Sequence, residues 1–296
     1  MQANDQQVVV LGNTGFIGKN LQKYLDYHGV KTFGASSTNC NLLDPSSINQ
    51  FFSHLPEKIH LVFCSAITPH YENNIHSFHK NVTIIENFLN TVSLTKFNSI
   101  IFLSSVDIYG HNPILPITEN TLPDPKDYYG LSKFNSEILL KWYCQPSNIP
   151  LIILRLPGIY GPEDQGKSII GFFFRRLIEK KVITINNNGN TLRDYVEIND
   201  LNTIVKRLIT NPNPNPDPKT MTTTINIASG QSIRIKEIID TISRIAEKEV
   251  QIEISSKVKK ADYNLVFNNK ALRSLISEFK FTTLNKGFER YVNEYQ

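Results

Sequence analysis

The sequence predicts the α/β class: a doubly wound parallel sheet, joined to a smaller, mainly C-terminal second domain. Three observations predict it. Apolar runs of strand length alternate with amphipathic stretches of helix length up to residue 156. A glycine-rich turn, "GNTGFIG", stands between the first strand and the first helix. Beyond residue 156 the alternation becomes less regular, which divides 1–156 from 157–296, with 191–210 expected to return to the first domain.

Taken in order, "QVVVLG" (7–12) is an apolar strand. In 13–29, Ile17, Leu21 and Leu25 recur every fourth residue, the spacing of an amphipathic helix, and Gly29 ends it. A second strand follows at 30–36, then a helix at 46–55, a strand at 58–66, a helix at 78–92 and a strand at 98–105. A helix at 130–144 and a strand at 150–156 complete the regular part. Further helices are expected at 170–181 and 232–248, and the alternating prolines of "NPNPNPDPKT" (211–220) read as an exposed loop.

Composition narrows the function classes. The chain has 296 residues, 20% charged and 40% hydrophobic, ordinary values for a globular enzyme. A formal charge of +4, from 31 basic and 27 acidic residues, is too small and dispersed to argue for nucleic acid, yet it would not repel a phosphorylated substrate. Cys40, Cys64 and Cys144 are odd in number and widely spaced, so neither a disulfide framework nor a zinc pattern emerges, and a reducing cytoplasm is the expected compartment. The N-terminus lacks a basic region and a long apolar run, and no stretch approaches the roughly 20 apolar residues that span a bilayer, so no membrane is expected. His76 and His79 would share a helix face near His70, but a metal would need a further ligand; a polar surface is the expectation, with no metal.

Gly12, Gly15 and Gly18 punctuate the strand-to-helix turn. Such glycines permit a tight turn, a close approach of backbone to a pyrophosphate, and close helix–strand packing, as in a Rossmann-like dinucleotide site. The spacing is G-x-x-G-x-x-G rather than the usual G-x-G-x-x-G. An acid ending the second strand would bond the ribose of NAD and repel a 2′-phosphate. This chain offers no acid there but the hydroxyls of Ser36, Ser37 and Thr38, which leans toward NADP over NAD, and only mildly because no arginine is present to clamp the phosphate.

The stretch "DYYGLSK" (127–133) holds two tyrosines and a lysine. At about 3.6 residues per turn, Tyr129 and Lys133 share a helix face and Tyr128 points away. An isolated Y-x-x-x-K is ordinarily a solvated surface, but here "FLSS" (102–105) ends a strand just upstream. Ser105 and Tyr129 would then hold a carbonyl oxygen, and Lys133 would draw the phenol pKa from about 10 toward neutrality. A phenol so tuned serves as a general acid or base.

With "NLLD" (41–44), "KNV" (80–82), "SSVDIYG", "RLPGIYGP" (155–162), "GNTLRDYVEINDL" (189–201) and "NIASGQSIRIKEI" (226–238) following in order, the chain resembles the extended short-chain dehydrogenase/reductase family of NAD(P)-dependent nucleotide-sugar epimerases, dehydratases and ketoreductases. The resemblance covers nearly the whole chain. It implies that Ser105, Tyr129 and Lys133 are catalytic. It also implies that Gly12, Gly15, Phe16, Ile17, Gly18, Ser36, Asn41, Leu42, Ala66, Tyr129 and Lys133 contact the cofactor. Ser105, Asp107, Arg193 and Lys259 would contact substrate, Arg193 gripping the nucleotide diphosphate and Lys259 standing where a second phosphate-binding arginine is usual. Four positions depart from the pattern. Asn41 replaces an acid, Gly158 stands where many relatives carry an asparagine touching the sugar, and Val106-Asp107 replaces the Asp-Glu pair of the dehydratases. The implied function is an NADP(H)-linked 4-ketoreductase of a nucleotide-activated, deoxy sugar. A 4-epimerase with the same three residues and a retained NAD is the alternative, and a non-catalytic dinucleotide-binding sensor or scaffold is a reading of another class. A nucleotide sugar is the expected partner, with a homodimer left open.

Overall fold

The computed structural model describes residues 6–164, 166, 168–210, 221–255 and 263–295; Lys259 and the loop at 211–220 lie outside them. In chain order come β1 (Gln7–Leu11), α1 (Phe16–Tyr27), β2 (Lys31–Ala35), α2 (Pro45–Ser53), β3 (Ile59–Phe63), α3 (Ile75–Thr91), β4 (Phe97–Ser105), α4 (Tyr128–Cys144) and β5 (Leu151–Leu156). Then follow β6 (Gly158–Tyr160), α5 (Ile169–Ile178), β7 (Ile183–Ile185), β8 (Leu192–Arg193), β9 (Tyr195–Glu197) and α6 (Ile198–Thr210). The rest is β10 (Thr222–Asn226), β11 (Ile233–Arg234), α7 (Ile235–Ala246), β12 (Ile252–Ile254), α8 (Lys270–Leu275) and α9 (Leu284–Tyr295).

The chain forms two compact units. The first comprises Met1–Gly110, Leu122–Arg155 and Asn202–Ile225. Its six-stranded sheet has the order β2-β1-β3-β4-β5-β10, with β1 parallel to β2 and β3, and β3 parallel to β4. Register is set by apolar pairs such as Val9 with Phe33 and Leu61, and Leu61 with Ile100. The inner strands β1, β3, β4 and β5 are buried on both faces, as parallel strands between helices must be, while the edge strands β2 and β10 are only partly covered. One polar side chain enters the run "IHLVF" of β3: His60, whose Nδ1 lies 2.8 Å from Ser99 Oγ and whose burial lowers its pKa.

Caps set the helix starts. Asp44 accepts from Ser46 N ahead of Pro45 to begin α2, and Asn74 with Ser77 forms a reciprocal box that starts α3 ahead of the expected residue 78. Asp127 accepts from Gly130 N at 2.7 Å, so α4 begins at Tyr128 and both tyrosines are helical.

The second unit comprises His111–Thr121, Leu156–Leu201 and Asn226–Gln296. Its strands form small pairs: β6 with β9 and β7 with β12 are parallel, β8 with β11 antiparallel. They pack with α5, α7 and α9 around Phe173, Phe174, Ile238, Ile242, Phe288 and Tyr291. The division differs from one cut at 156 with a return at 191–210. Residues 111–121 join the second unit because Ile117 bridges to Phe267, and its N–H donates to Val266 O at 2.7 Å. The returning stretch is 202–225, because its last strand, β10, adds to β5 at the edge of the large sheet.

Candidate active site

The sheet order reverses at β1, whose neighbours are β2 and β3. In open α/β sheets, ligands bind beyond the carboxyl ends of strands at such a switch point. Gly12, directly after β1, has φ +84, and a Cβ there would lie 2.9 Å from the backbone N of Ser65 beyond β3. A Cβ on Gly18 would come within 2.3 Å of the Gly12 carbonyl oxygen. Gly15 caps α1 without a side chain, so the first-turn N–H groups of Phe16, Ile17 and Gly18 lie behind bare backbone. Those groups have no intrahelical acceptor, and the helix dipole favours an anion there. This cradle, which side chains would fill, fits a dinucleotide pyrophosphate.

Beyond β2 the hydroxyls of Ser36 and Thr38 are 2.7 Å apart, and the Ser36 N–H donates to Asn39 Oδ1 at 2.8 Å. Asn41 Oδ1 accepts from Leu43 N, while Leu42 is buried and its carbonyl accepts from Asn87 Nδ2. Ala66 lies in the stretch between β3 and α3, which Asn81 fastens by accepting from Ile67 N at 2.7 Å and donating to Ile67 O at 3.0 Å. Ser65, Ala66, Asn81, Phe102, Ser132 and Lys133 line a small cavity there.

Tyr129 and Lys133 meet the end of β4. The Tyr129 N–H donates to Asn73 Oδ1 at 3.2 Å, and α4 lies so close to the turn after β4 that a Cβ on Gly130 would sit 2.7 Å from Asp107 O. Lys133 Nζ donates to Leu103 O at 2.7 Å and lies 5.8 Å from the centre of the Tyr129 ring. Ser105 begins a short 3₁₀ turn, Val106–Tyr109; its Oγ donates to Asp107 Oδ2 at 3.0 Å and accepts from Asp107 N at 3.2 Å. Ser105, Asp107, Tyr129 and Lys133 thus cluster at the carboxyl end of β4, whereas Tyr128 is 41% exposed.

Burial pushes the Lys133 ammonium down to about 8, against the opposing pull of Cys64 and Glu137. The Tyr129 phenol lies above its ordinary value, through burial first and then the Asp107 and Asp127 carboxylates. This reverses the expected shift toward neutrality. Lys133 directs its ammonium to Leu103 O, and the loss of water, with the two carboxylates, outweighs it.

Sequence reasoning passed over Glu137 and Arg155, both buried and paired at 2.8 Å. A signal existed: Glu137 follows Lys133 by four residues, and Arg155 is the one charge in the apolar run "LIILRL".

In the second unit, Arg193 Nη1 donates to Leu192 O at 2.9 Å and to Tyr263 O, and its guanidinium carbon lies 4.9 Å from the Tyr263 ring centre. Asp194 beside it accepts from Ser229 N, Ser229 Oγ and Gly230 N, and burial pushes its carboxyl up to about 6. A Cβ on Gly158 would lie 2.5 Å from the Tyr195 ring, so this position offers only backbone.

The model of the NAD dependent epimerase/dehydratase family matches residues 8–228. Among known proteins, GDP-6-deoxy-D-mannose reductase of Pseudomonas aeruginosa is 25% identical over 257 residues, 83% of this chain and 82% of the relative. Among solved structures, that of RMD from Pseudomonas aeruginosa complexed with NADPH superposes with a TM-score of 0.84 at 20% identity, over 98% of each chain. The Thermus thermophilus UDP-glucose 4-epimerase complexed with NAD does so with a TM-score of 0.83 at 19% identity, over 98% of this chain and 99% of the other.

Proposed function

The chain belongs to the NAD dependent epimerase/dehydratase family, and from that premise we propose that it is an NADP(H)-linked reductase of the C4 carbonyl of a nucleotide-activated deoxy sugar. The observation that carries the reading is the cluster of Ser105, Tyr129 and Lys133 at the strand end beside the glycine cradle. The likeness to a GDP-sugar reductase supports reduction and makes a GDP-sugar the first substrate to try.

Gly12, Gly15 and the first-turn N–H groups of Phe16, Ile17 and Gly18 hold the pyrophosphate, with Asn41, Leu42 and Ala66 flanking the dinucleotide. The Ser36 and Thr38 hydroxyls donate to a 2′-phosphate, which is the basis of the NADP preference. When bound, the nicotinamide supplies the hydride to the carbonyl carbon. Ser105 Oγ turns its hydrogen bond from Asp107 to the carbonyl oxygen. Tyr129 gives that oxygen its proton, and the Lys133 ammonium opposes the charge left on the phenolate. Arg193 and Lys259 are assigned to the diphosphate, as basic partners for its oxygens.

A homodimer and a cytoplasmic setting complete the proposal. Leu131, Ile138 and Trp142 form an exposed apolar stripe at helical spacing along α4, which favours a second copy of the chain. The three cysteines are unpaired, as in a reducing compartment.

The purified protein, given GDP-6-deoxy-D-mannose with NADP or with NAD, is expected to reduce NADP faster and to form the keto-sugar. Reduction of neither coenzyme, or conversion of UDP-glucose to its C4 epimer with NAD retained, overturns the reading.

A further inference from the structure

The Glu137–Arg155 pair has no part in the roles above. Glu137 stands one turn beyond Lys133 on α4 and is 0% exposed; Arg155 on β5 is 4% exposed. Arg155 donates through Nη2 to Glu137 Oε2 at 2.8 Å and through Nε to Oε1 at 3.1 Å. Ser104 Oγ donates to the same Oε1 at 2.6 Å, and Arg155 Nη1 donates to Tyr109 Oη at 2.8 Å. One bidentate pair therefore joins the end of β4, the far end of the Val106–Tyr109 turn, α4 and β5. Ser105 is enclosed between two of the fastened residues, Ser104 and Tyr109. Taking two ions out of water costs several kcal/mol each, and apolar residues would often hold a fold as well. Stability is thus a poor account of the pair.

We propose that Glu137, gripped by Arg155, is a positioning residue: it sets the strand end bearing Ser105 against the helix face bearing Tyr129 and Lys133. The inference rests on the reading of those three residues as the reacting site. The Glu137 carboxylate also favours the charged form of Lys133. The other groups facing Lys133 are Cys64 beyond β3, the Leu103 carbonyl and Phe102 ring of β4, and Tyr129 on its own helix.

The test reads Lys133 without any substrate, by carbon NMR of protein labelled at lysine Cε, with Lys133→Arg identifying the resonance. The wild-type midpoint is expected near 8. Glu137→Gln removes the opposing charge and should lower it by about one unit. Because that variant takes the carboxylate away from a buried guanidinium, the double variant Glu137→Met with Arg155→Met, which keeps the core filled, is measured beside it and should shift the same way. With a sugar that the wild type turns over, kcat should fall about tenfold or more while KM stays within about twofold. A folded variant with an unmoved Lys133 midpoint overturns the inference. A moved midpoint in a protein that turns over no nucleotide sugar supports the coupling and overturns the reaction reading instead.

Discussion

Tyr128 and Tyr129 differ by one position on α4, and each can lose one oxygen without losing its ring. Tyr129→Phe leaves the carbonyl without its proton donor, so turnover should fall by about 10²–10⁴-fold with NADPH affinity kept. Tyr128→Phe alters a side chain that is 41% exposed, and turnover should stay within about tenfold of wild type. Steady-state rates of the two variants decide it; a dead Tyr128→Phe beside an active Tyr129→Phe would remove Tyr129 from the chemistry. Ser36 offers a second contrast. Ser36→Asp places a carboxylate where the 2′-phosphate is assigned, so NADPH should bind more weakly than NADH, the reverse of the wild type; fluorescence titration with both coenzymes checks this. The spacing of Tyr129 and Lys133 was legible because a helix turns it into a shared face, a purely local rule. The upward shift of the Tyr129 pKa was not legible, because it depends first on burial and then on Asp107, brought in from 22 positions away by the packing of α4 on the turn after β4. Arg193 shows the same limit: its carbonyl partner on Tyr263 is 70 residues distant.

Elements of the first unit follow directly from periodicity and caps. α1 ends at Tyr27 ahead of Gly29, and β3 and β4 are mainly apolar strands, the buried His60 and Ser99 facing each other across them. Pattern has less to say about β8 and β11, which have two residues each and exist only through pairing with each other. The junction of β1 and α1 allows a prediction at this scale. Gly18→Ala adds a methyl 2.3 Å from the Gly12 carbonyl, against backbone that has no rotamer with which to yield. Overpacking of this kind costs about 1–3 kcal/mol. Both the melting temperature and the NADPH affinity should drop, since the helix start that forms the cradle must move. A variant with the melting temperature lowered but NADPH bound normally would separate the cradle from the cofactor.

Across the molecule, ionisable groups are buried unevenly, and the second unit carries acids whose pKa values are raised. Burial, with Asp200 beside it, pushes Glu197 up to about 7, although Arg290 reaches it at 3.4 Å. An acid raised in the folded state binds its proton there at a pH where the unfolded chain has lost it. Its contribution to stability is complete below the ordinary glutamate range near 4.5 and is lost as pH rises through about 7. Between pH 5 and 8 the wild type should therefore lose more thermal stability than Glu197→Gln, which cannot titrate; equal slopes for the two in calorimetry would show that Glu197 is already charged at pH 5.

The chain visits each unit three times, and β10, which covers the outer edge of β5, is translated long after β5 itself. On the ribosome, the six buried residues of β5 wait with one edge unpaired until residue 226 has emerged. An unpaired apolar edge is a template for a neighbouring chain, so nascent polypeptides on one message are exposed to each other during that interval. Fragments 1–210 and 1–226 differ at this edge, and the shorter should partition more heavily into the pelleted fraction after expression; equal partition would mean that the edge is shielded by something other than its own last strand.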